Sequence, residues 1–134
     1  MTHIDNLESI IKENGLWSDS ERIRRNLSYN KIGYQHIKDR RMRRKVNVGR
    51  GGCLGDYVPF YFAPRSPMLY TINKGNVPDY QDGQEPIIHL VSNIDLVIFQ
   101  NSQFVYTDRH AELSHAEYSN NLDAISNVRL GFCT

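Results

Sequence analysis

Apolar residues keep a helical rhythm near the start of the chain and group into short β-branched and aromatic runs after its middle. Leu7, Ile10 and Ile11 recur at i, i+3 and i+4, the stripe of an amphipathic helix. Asp5 with Glu8 resembles a capping box in which Asp replaces Ser or Thr, and Gly15 after Asn14 is a stop signal. The pattern predicts a helix over Asp5–Asn14, with Leu16 and Trp17 packing just beyond it. A polar stretch follows, from Ser18 to Ser28. Ser28 or Asn30 then caps a second predicted helix that runs to about Arg44. Its apolar positions, Ile32 and Ile37, are sparse, and Gly33 weakens it by ~1 kcal/mol relative to Ala. This helix is expected to be half buried.

The glycine-rich segment "NVGRGGCLGD" leads into an aromatic run, Tyr57 to Phe62, which reads as a strand broken at Pro64 and Pro67. "GNVPDYQDGQEP" reads as a loop. Ile87–Val91 and Leu96–Phe99 read as strands around a turn at Ser92-Asn93. Gln103–Thr107 reads as another strand, after a turn at Asn101-Ser102. Ala111–Asn121 has modest helix propensity, and the tail "ISNVRLGFCT" reads as one more short strand. Helices early and strands late give an α+β class.

The 134 residues suffice for one domain, with 40% hydrophobic and 23% charged residues. No apolar run approaches the roughly 20 residues that span a bilayer. The N-terminus lacks the basic and apolar blocks of a secretory signal, so the cytoplasm is the expected compartment and no membrane partner is expected. Cys53 and Cys133 are too few for a disulfide framework. The formal net charge is +1, but eleven Lys or Arg lie between Arg22 and Arg50, with only Asp39 acidic there. Such a segment suits a local polyanion site, or equally a solvated helix face.

Several chemistries find no support. The glycine segment fits neither dinucleotide nor P-loop spacing, and a strand rather than a helix is expected after it, so a tight turn is the better reading. The five histidines form no metal-binding pair, so no metal is expected. No G-x-S-x-G elbow occurs, and Cys53 has no evident catalytic partners. What remains is "KDRRMRRKV", where a helix would align Arg40 with Arg44 and Arg41 with Lys45. Arginine presents a planar fork to phosphate oxygens, and Tyr57, Tyr61 and Tyr70 follow with flat rings. The residues point to a ligand with phosphates and rings, either a nucleotide or a single-stranded nucleic acid.

"THIDNLESII", "IKDRR…KV", "DYVPFYFAPRSPMLY" and "FVYTDRHA" occur in the order found in the DarT family, and the resemblance runs from Thr2 to about Leu122. These are the toxin halves of DarT–DarG toxin–antitoxin systems, ADP-ribosyltransferases that use NAD to modify thymidine bases in single-stranded DNA. The resemblance implies a split-sheet ADP-ribosyltransferase core with N-terminal helices, a cleft for NAD as co-substrate, and no metal. It implies single-stranded DNA as substrate and a macrodomain antitoxin of the DarG type as partner. Thr2 and Asn6 match the segment that touches NAD, and Tyr61 and Arg65 fall in the aromatic block beside it. The Arg40-Arg41 pair matches the catalytic arginine, without deciding between the two. His110 matches a histidine where DNA contact is expected, and Arg43, Arg44 and Lys45 are the expected phosphate contacts.

Two departures stand beside these matches. The family's H-x-T-H motif has a histidine two residues before Thr2, and its catalytic glutamate lies in a later R-Q-A-E-like segment. Glu112 and Glu117 follow alanines but lack that context. Residues 1–134 are therefore expected to form a single, incomplete DarT-like domain. The alternative is a catalytically inactive remnant that binds NAD or single-stranded DNA.

Overall fold

The structure is a computed structural model that describes residues 1–127. Its elements are short: β1 (Thr2–His3), α1 (Leu7–Lys12), α2 (Asp19–Arg24), α3 (Gln35–Arg41), α4 (Pro67–Asn73), β2 (Ile87–Ile88), α5 (Ile94–Phe99), β3 (Tyr106–Thr107) and β4 (Tyr118–Ser119). The α+β class holds, with the strands divided between separate antiparallel ladders, β1 with β2 and β3 with β4.

The first helix starts and ends differently from its sequence pattern. A 3-10 turn, Ile4–Asn6, precedes α1, and His3 rather than Asp5 caps it through an Asp5 N–H···Nδ1 bond of 3.2 Å. Asp5 instead accepts from the Asn30 amide at 2.8 Å. At the far end Asn14, not Gly15, takes the left-handed conformation, at φ 53°. The stretch expected to be merely polar contains α2. Ser18 caps it by accepting from the Glu21 N–H at 3.3 Å, and Asp19–Arg22 and Glu21–Arg24 pairs line it. Its one apolar residue, Ile23, is 67% exposed, so periodicity carried no signal.

The second predicted helix is trimmed at both ends. Asn30 is spent on Asn6 and Asp5, and α3 begins only at Gln35. It ends at Arg41, so Arg43, Arg44 and Lys45 lie beyond it, although Arg44 N–H still closes a turn onto the Arg40 carbonyl at 2.9 Å. The glycine segment is the tight turn expected. Val46 N–H bonds Gly52 O at 3.0 Å and Leu54 N–H bonds Arg44 O at 2.9 Å, with Gly49, Gly51 and Gly52 at positive φ.

The aromatic run is not a strand. Tyr57 to Phe62 pairs with no ladder, Pro59 offers no N–H, and Phe60, Tyr61 and Phe62 are exposed. The "RSP" break has a local cause. Buried Ser66 accepts from the Leu69 N–H at 3.1 Å with Pro67 in the first turn, which makes it the cap of α4. Leu96–Phe99 is helical too, because Asn93 accepts from the Leu96 N–H at 2.9 Å and starts α5. Only Ile87–Ile88 and Tyr106–Thr107 of the other predicted strands form ladders. Ala111–Asn121 is turns and β4 rather than helix, since Tyr118 pairs across to Thr107. The predicted tail strand begins in a 3-10 turn, Leu122–Asn127, and otherwise lies outside the described residues.

The core is small. Ile32, Ile72, Val77 and Tyr80 form it, with Met1, Tyr34, Met68 and Ile87 packed against it. Ile72 and Val77 are each 1% exposed. Replacing Ile72 by Ala leaves a cavity in this small cluster, so Ile72→Ala is expected to lose ~2–5 kcal/mol in urea unfolding. Loss below ~1 kcal/mol would mean that the cluster is not the core.

A second expectation comes from Asp56, whose carboxylate accepts from the Cys53 N–H at 2.8 Å. That bond first, and the Ser20 hydroxyl next, hold Asp56 below the usual carboxylate range. A depressed folded-state value means that its contribution is full above the ordinary range near ~4 and is lost as pH falls through the depressed value. Asp56→Asn should therefore lose less stability than the parent between neutral and acid pH. Equal losses in urea titrations at the two pH values would reject this.

Candidate active site

Consecutive residues on a helix point about 100° apart, and the structure uses this to separate the arginine pair. Arg41 turns inward and donates through Nη2 to the carbonyls of Leu54 (3.0 Å) and Tyr57 (3.1 Å). It thereby ties the end of α3 to the turn that leads into the aromatic run. Its charge also reaches Tyr61. The Tyr61 phenol is pushed up by burial, although the residue keeps 44% of its surface exposed, with the Arg41 charge opposing. Arg40 turns outward and is 61% exposed in its side chain. Its Nε donates to Glu112 Oε2 at 3.0 Å, and its Nη2 forms an ion pair with the same oxygen at 2.8 Å.

Arg40 lies in a cleft of about 380 Å³ with Arg43, Arg44, His110, Glu112 and Leu113. The 110–113 turn is fastened to the basic segment from two sides. Arg44 donates to Leu113 O at 2.7 Å, while Glu112 takes Arg40. Within the turn, Leu113 N–H bonds His110 O and Glu112 N–H approaches His110 Nδ1 at 3.4 Å. Among the described residues the Arg43 guanidinium bonds only the Asp39 carbonyl, at 3.3 Å. So Arg40, Arg43 and Arg44 share one cleft with His110, which is distant in sequence. Lys45 lies just outside it, in a bridge with Cys53.

Thr2 and Asn6 border a different cleft, of about 170 Å³, with Trp17, Arg22, Tyr29 and Phe60. Asn6 is buried and its amide is occupied. Nδ2 donates to Thr2 Oγ1 (3.0 Å) and Asn30 O (2.9 Å), and Oδ1 accepts from Asn30 N–H (2.7 Å). Asn6 is a fastener here. Because Thr2 Oγ1 accepts from Asn6, its own hydroxyl hydrogen remains to be donated. Trp17 buries its indole N–H with no acceptor among the described residues. Tyr29 has the Arg22 guanidinium 3.2 Å from its ring centroid and the Lys38 ammonium 4.2 Å away. Sequence reading missed Trp17, Arg22 and Tyr29, because no spacing links residues on separate elements. Arg65 stands apart, exposed and without a hydrogen bond or ion pair among the described residues.

The described residues contain no group of three or more His, Cys, Asp or Glu able to hold a metal, and no helix long and apolar enough to cross a membrane. A donor-rich cleft with an orphaned indole N–H and cation-flanked rings fits a ligand with phosphates, hydroxyls and aromatic bases, as NAD has. A basic cleft with one carboxylate suits a polyanion.

Known proteins match this chain in sequence and fold. Residues 1–131 match the family described as "ssDNA thymidine ADP-ribosyltransferase, DarT". The chain is 47% identical over 128 residues to the DNA ADP-ribosyl transferase of Thermus sp. strain 2.9, covering 96% of this chain and 59% of the relative. The structure of that Thermus protein in complex with ADP-ribosylated ssDNA superposes with a TM-score of 0.86 at 46% identity, covering 95% of this chain and 59% of the other. A second structure of it, in complex with NAD+, gives a TM-score of 0.79 over 95% of this chain and 58% of the other. A more distant relative from Thermosipho africanus, 28% identical over 87% of this chain and 28% of its own length, is a DNA ADP-ribosyl transferase–DNA ADP-ribosyl glycohydrolase fusion protein. The chain thus spans about three fifths of the Thermus relative it matches. With a family match over nearly its whole length, the chain belongs to the DarT family.

Proposed function

We propose that residues 1–134 serve an ADP-ribosyltransferase that moves ADP-ribose from NAD to thymidine bases of single-stranded DNA. The gathering of Arg40, Arg43, Arg44 and His110 in one cleft carries this reading, because it joins the family's motif residues into a surface fitted to a DNA strand. In this reading the smaller cleft takes NAD. Thr2 donates its hydroxyl there, Asn6 holds Thr2 and the Asn30 loop in position, and Trp17 offers its unused indole N–H. Tyr61 and Arg65, on the aromatic segment, close over the bound dinucleotide.

NAD supplies an ADP-ribosyl group on a cationic nicotinamide leaving group. The bond from ribose to nicotinamide breaks, a bond from ribose to a thymine ring nitrogen forms, nicotinamide leaves neutral, and the thymine nitrogen gives its proton to water. No metal is required. The protein supplies position and electrostatic stabilisation. Arg40 is the member of the arginine pair that meets the base, since Arg41 is committed to two backbone carbonyls. Arg43, Arg44 and Lys45 hold phosphates, and His110 borders the strand. A macrodomain antitoxin with glycohydrolase activity is the matching partner. The fused glycohydrolase of the Thermosipho relative supports that pairing.

The test is incubation with NAD and a thymidine-containing single-stranded oligonucleotide, read by mass spectrometry. One added ADP-ribose is expected, falling ~10²-fold or more in Arg40→Ala. Arg41→Ala should instead lower stability by about 2 kcal/mol in urea, through lost charged hydrogen bonds. Salt-dependent oligonucleotide binding without any mass gain would assign these residues binding alone. Loss of transfer in a fully stable Arg41→Ala would reverse the assignment of the pair.

A further inference from the structure

Glu112 has no role in the reading above. Its side chain is 7% exposed, it borders the basic cleft, and it pairs with the far more exposed Arg40. A buried carboxylate is costly unless paired, and the second oxygen, Oε1, is buried with no partner among the described residues. The charge of Glu112 therefore rests on Arg40. Arg40 meets one oxygen with a single edge, donating from Nε and setting Nη2 2.8 Å away. A guanidinium has five N–H donors, so three remain, two on Nη1 and one on Nη2. They form the edge away from Glu112.

This pairing changes what Arg40 recognises. A free guanidinium beside a DNA strand is drawn to phosphate. One already neutralised by a carboxylate has little net attraction to phosphate but keeps directed N–H donors. Arg43 and Arg44 have no carboxylate partner among the described residues and bond only backbone carbonyls, so they keep their charge for phosphate.

We propose that Glu112 is a positioning residue: it neutralises and orients Arg40 so that the outer guanidinium edge meets a neutral carbonyl of the nucleobase, while phosphate contact is left to Arg43 and Arg44. The inference rests on the DNA reading of this cleft. It adds a division of labour within the cleft and the side chain that enforces it.

Fluorescence anisotropy with oligo-dT and oligo-dC over a salt series tests this in the parent chain, Glu112→Gln, Arg40→Gln and the double variant. Glu112→Gln frees the Arg40 charge for phosphate. The slope of log affinity against log salt should steepen by ~0.7, the contribution of one more contact on a single strand. Preference for dT over dC should fall at the same time. In the double variant the slope should return to the parent value, because the effect passes through Arg40. Additive behaviour, or a slope and base preference unchanged in Glu112→Gln, would overturn the proposal.

A measurement on the unmutated chain covers the case in which a variant fails to fold. Thymidine, an uncharged nucleoside, should shift the Arg40 Nε–H resonance, whereas inorganic phosphate should not. The reverse pattern overturns the proposal. A parent chain that binds no oligonucleotide at all would overturn the DNA reading itself, and this inference with it.

Discussion

Two hydrogen bonds from Arg41 to the carbonyls of Leu54 and Tyr57 hold the candidate site in shape. They join the end of α3 to a segment thirteen or more residues later, across the glycine hairpin. The aromatic run has no ladder of its own, and its first residue adds only short-range bonds to these two, from the Tyr57 hydroxyl to Gly51 O at 2.8 Å and from its N–H to Leu54 O at 3.2 Å. With Arg41 turned inward, the helical period sends Arg40 outward, toward Glu112 and the basic cleft. One guanidinium is used for structure while its neighbour pairs with Glu112 at the basic cleft. Lysine at position 41 would not do the same, since a single ammonium lacks the planar fork that reaches two carbonyls from one rigid group.

The rest of the chain is held in a similar way. Few side chains are fully buried, and the helices have six or seven residues each, too short to stand on propensity alone. Polar side chains that bond backbone take up the load. Asn6 spends its whole amide on Thr2 and Asn30, which fixes β1 and the loop ahead of α3 together. Ser18, Ser66 and Asn93 each cap a helix. Tyr34 donates to Asn76 O at 2.6 Å and ties α3 to the turn after α4. Such bonds are worth about 1 kcal/mol each, but leaving the buried ones unmade costs more. They therefore specify where short elements sit more than they add stability.

This dependence sets what could be read in advance. The α+β class, the first helix and the tight glycine turn were legible because composition and apolar spacing record them directly. The boundaries were not, because caps settled them. Asn93 made a helix of Leu96–Phe99, whose β-branched composition reads as strand, and Ser66-Pro67 started a helix where the prolines read only as a break. Helix α2 was invisible since its residues are nearly all charged or polar. At the candidate site, motif resemblance pointed to the arginine pair but could not tell its two members apart. The division needed the carbonyls of Leu54 and Tyr57, which no side-chain pattern encodes.

The basic segment shows the same logic in its charges. A run of Lys and Arg in sequence suggests one continuous polycation, and the fold dismantles it. Arg22 pairs with Asp19, Arg24 and Arg25 with Glu21, and Arg40 with Glu112. Arg22 and Lys38 also flank the Tyr29 ring, and Arg41 is held by carbonyls. Arg43, Arg44 and Lys45 keep charges without a carboxylate within salt-bridge reach among the described residues, and they follow one another at the end of α3. These three charges follow one another at and beside one rim of the basic cleft, while the paired cations of the segment act through geometry. Under the proposed DNA reading, three successive cations without a carboxylate partner would favour one register for a strand with regularly spaced phosphates.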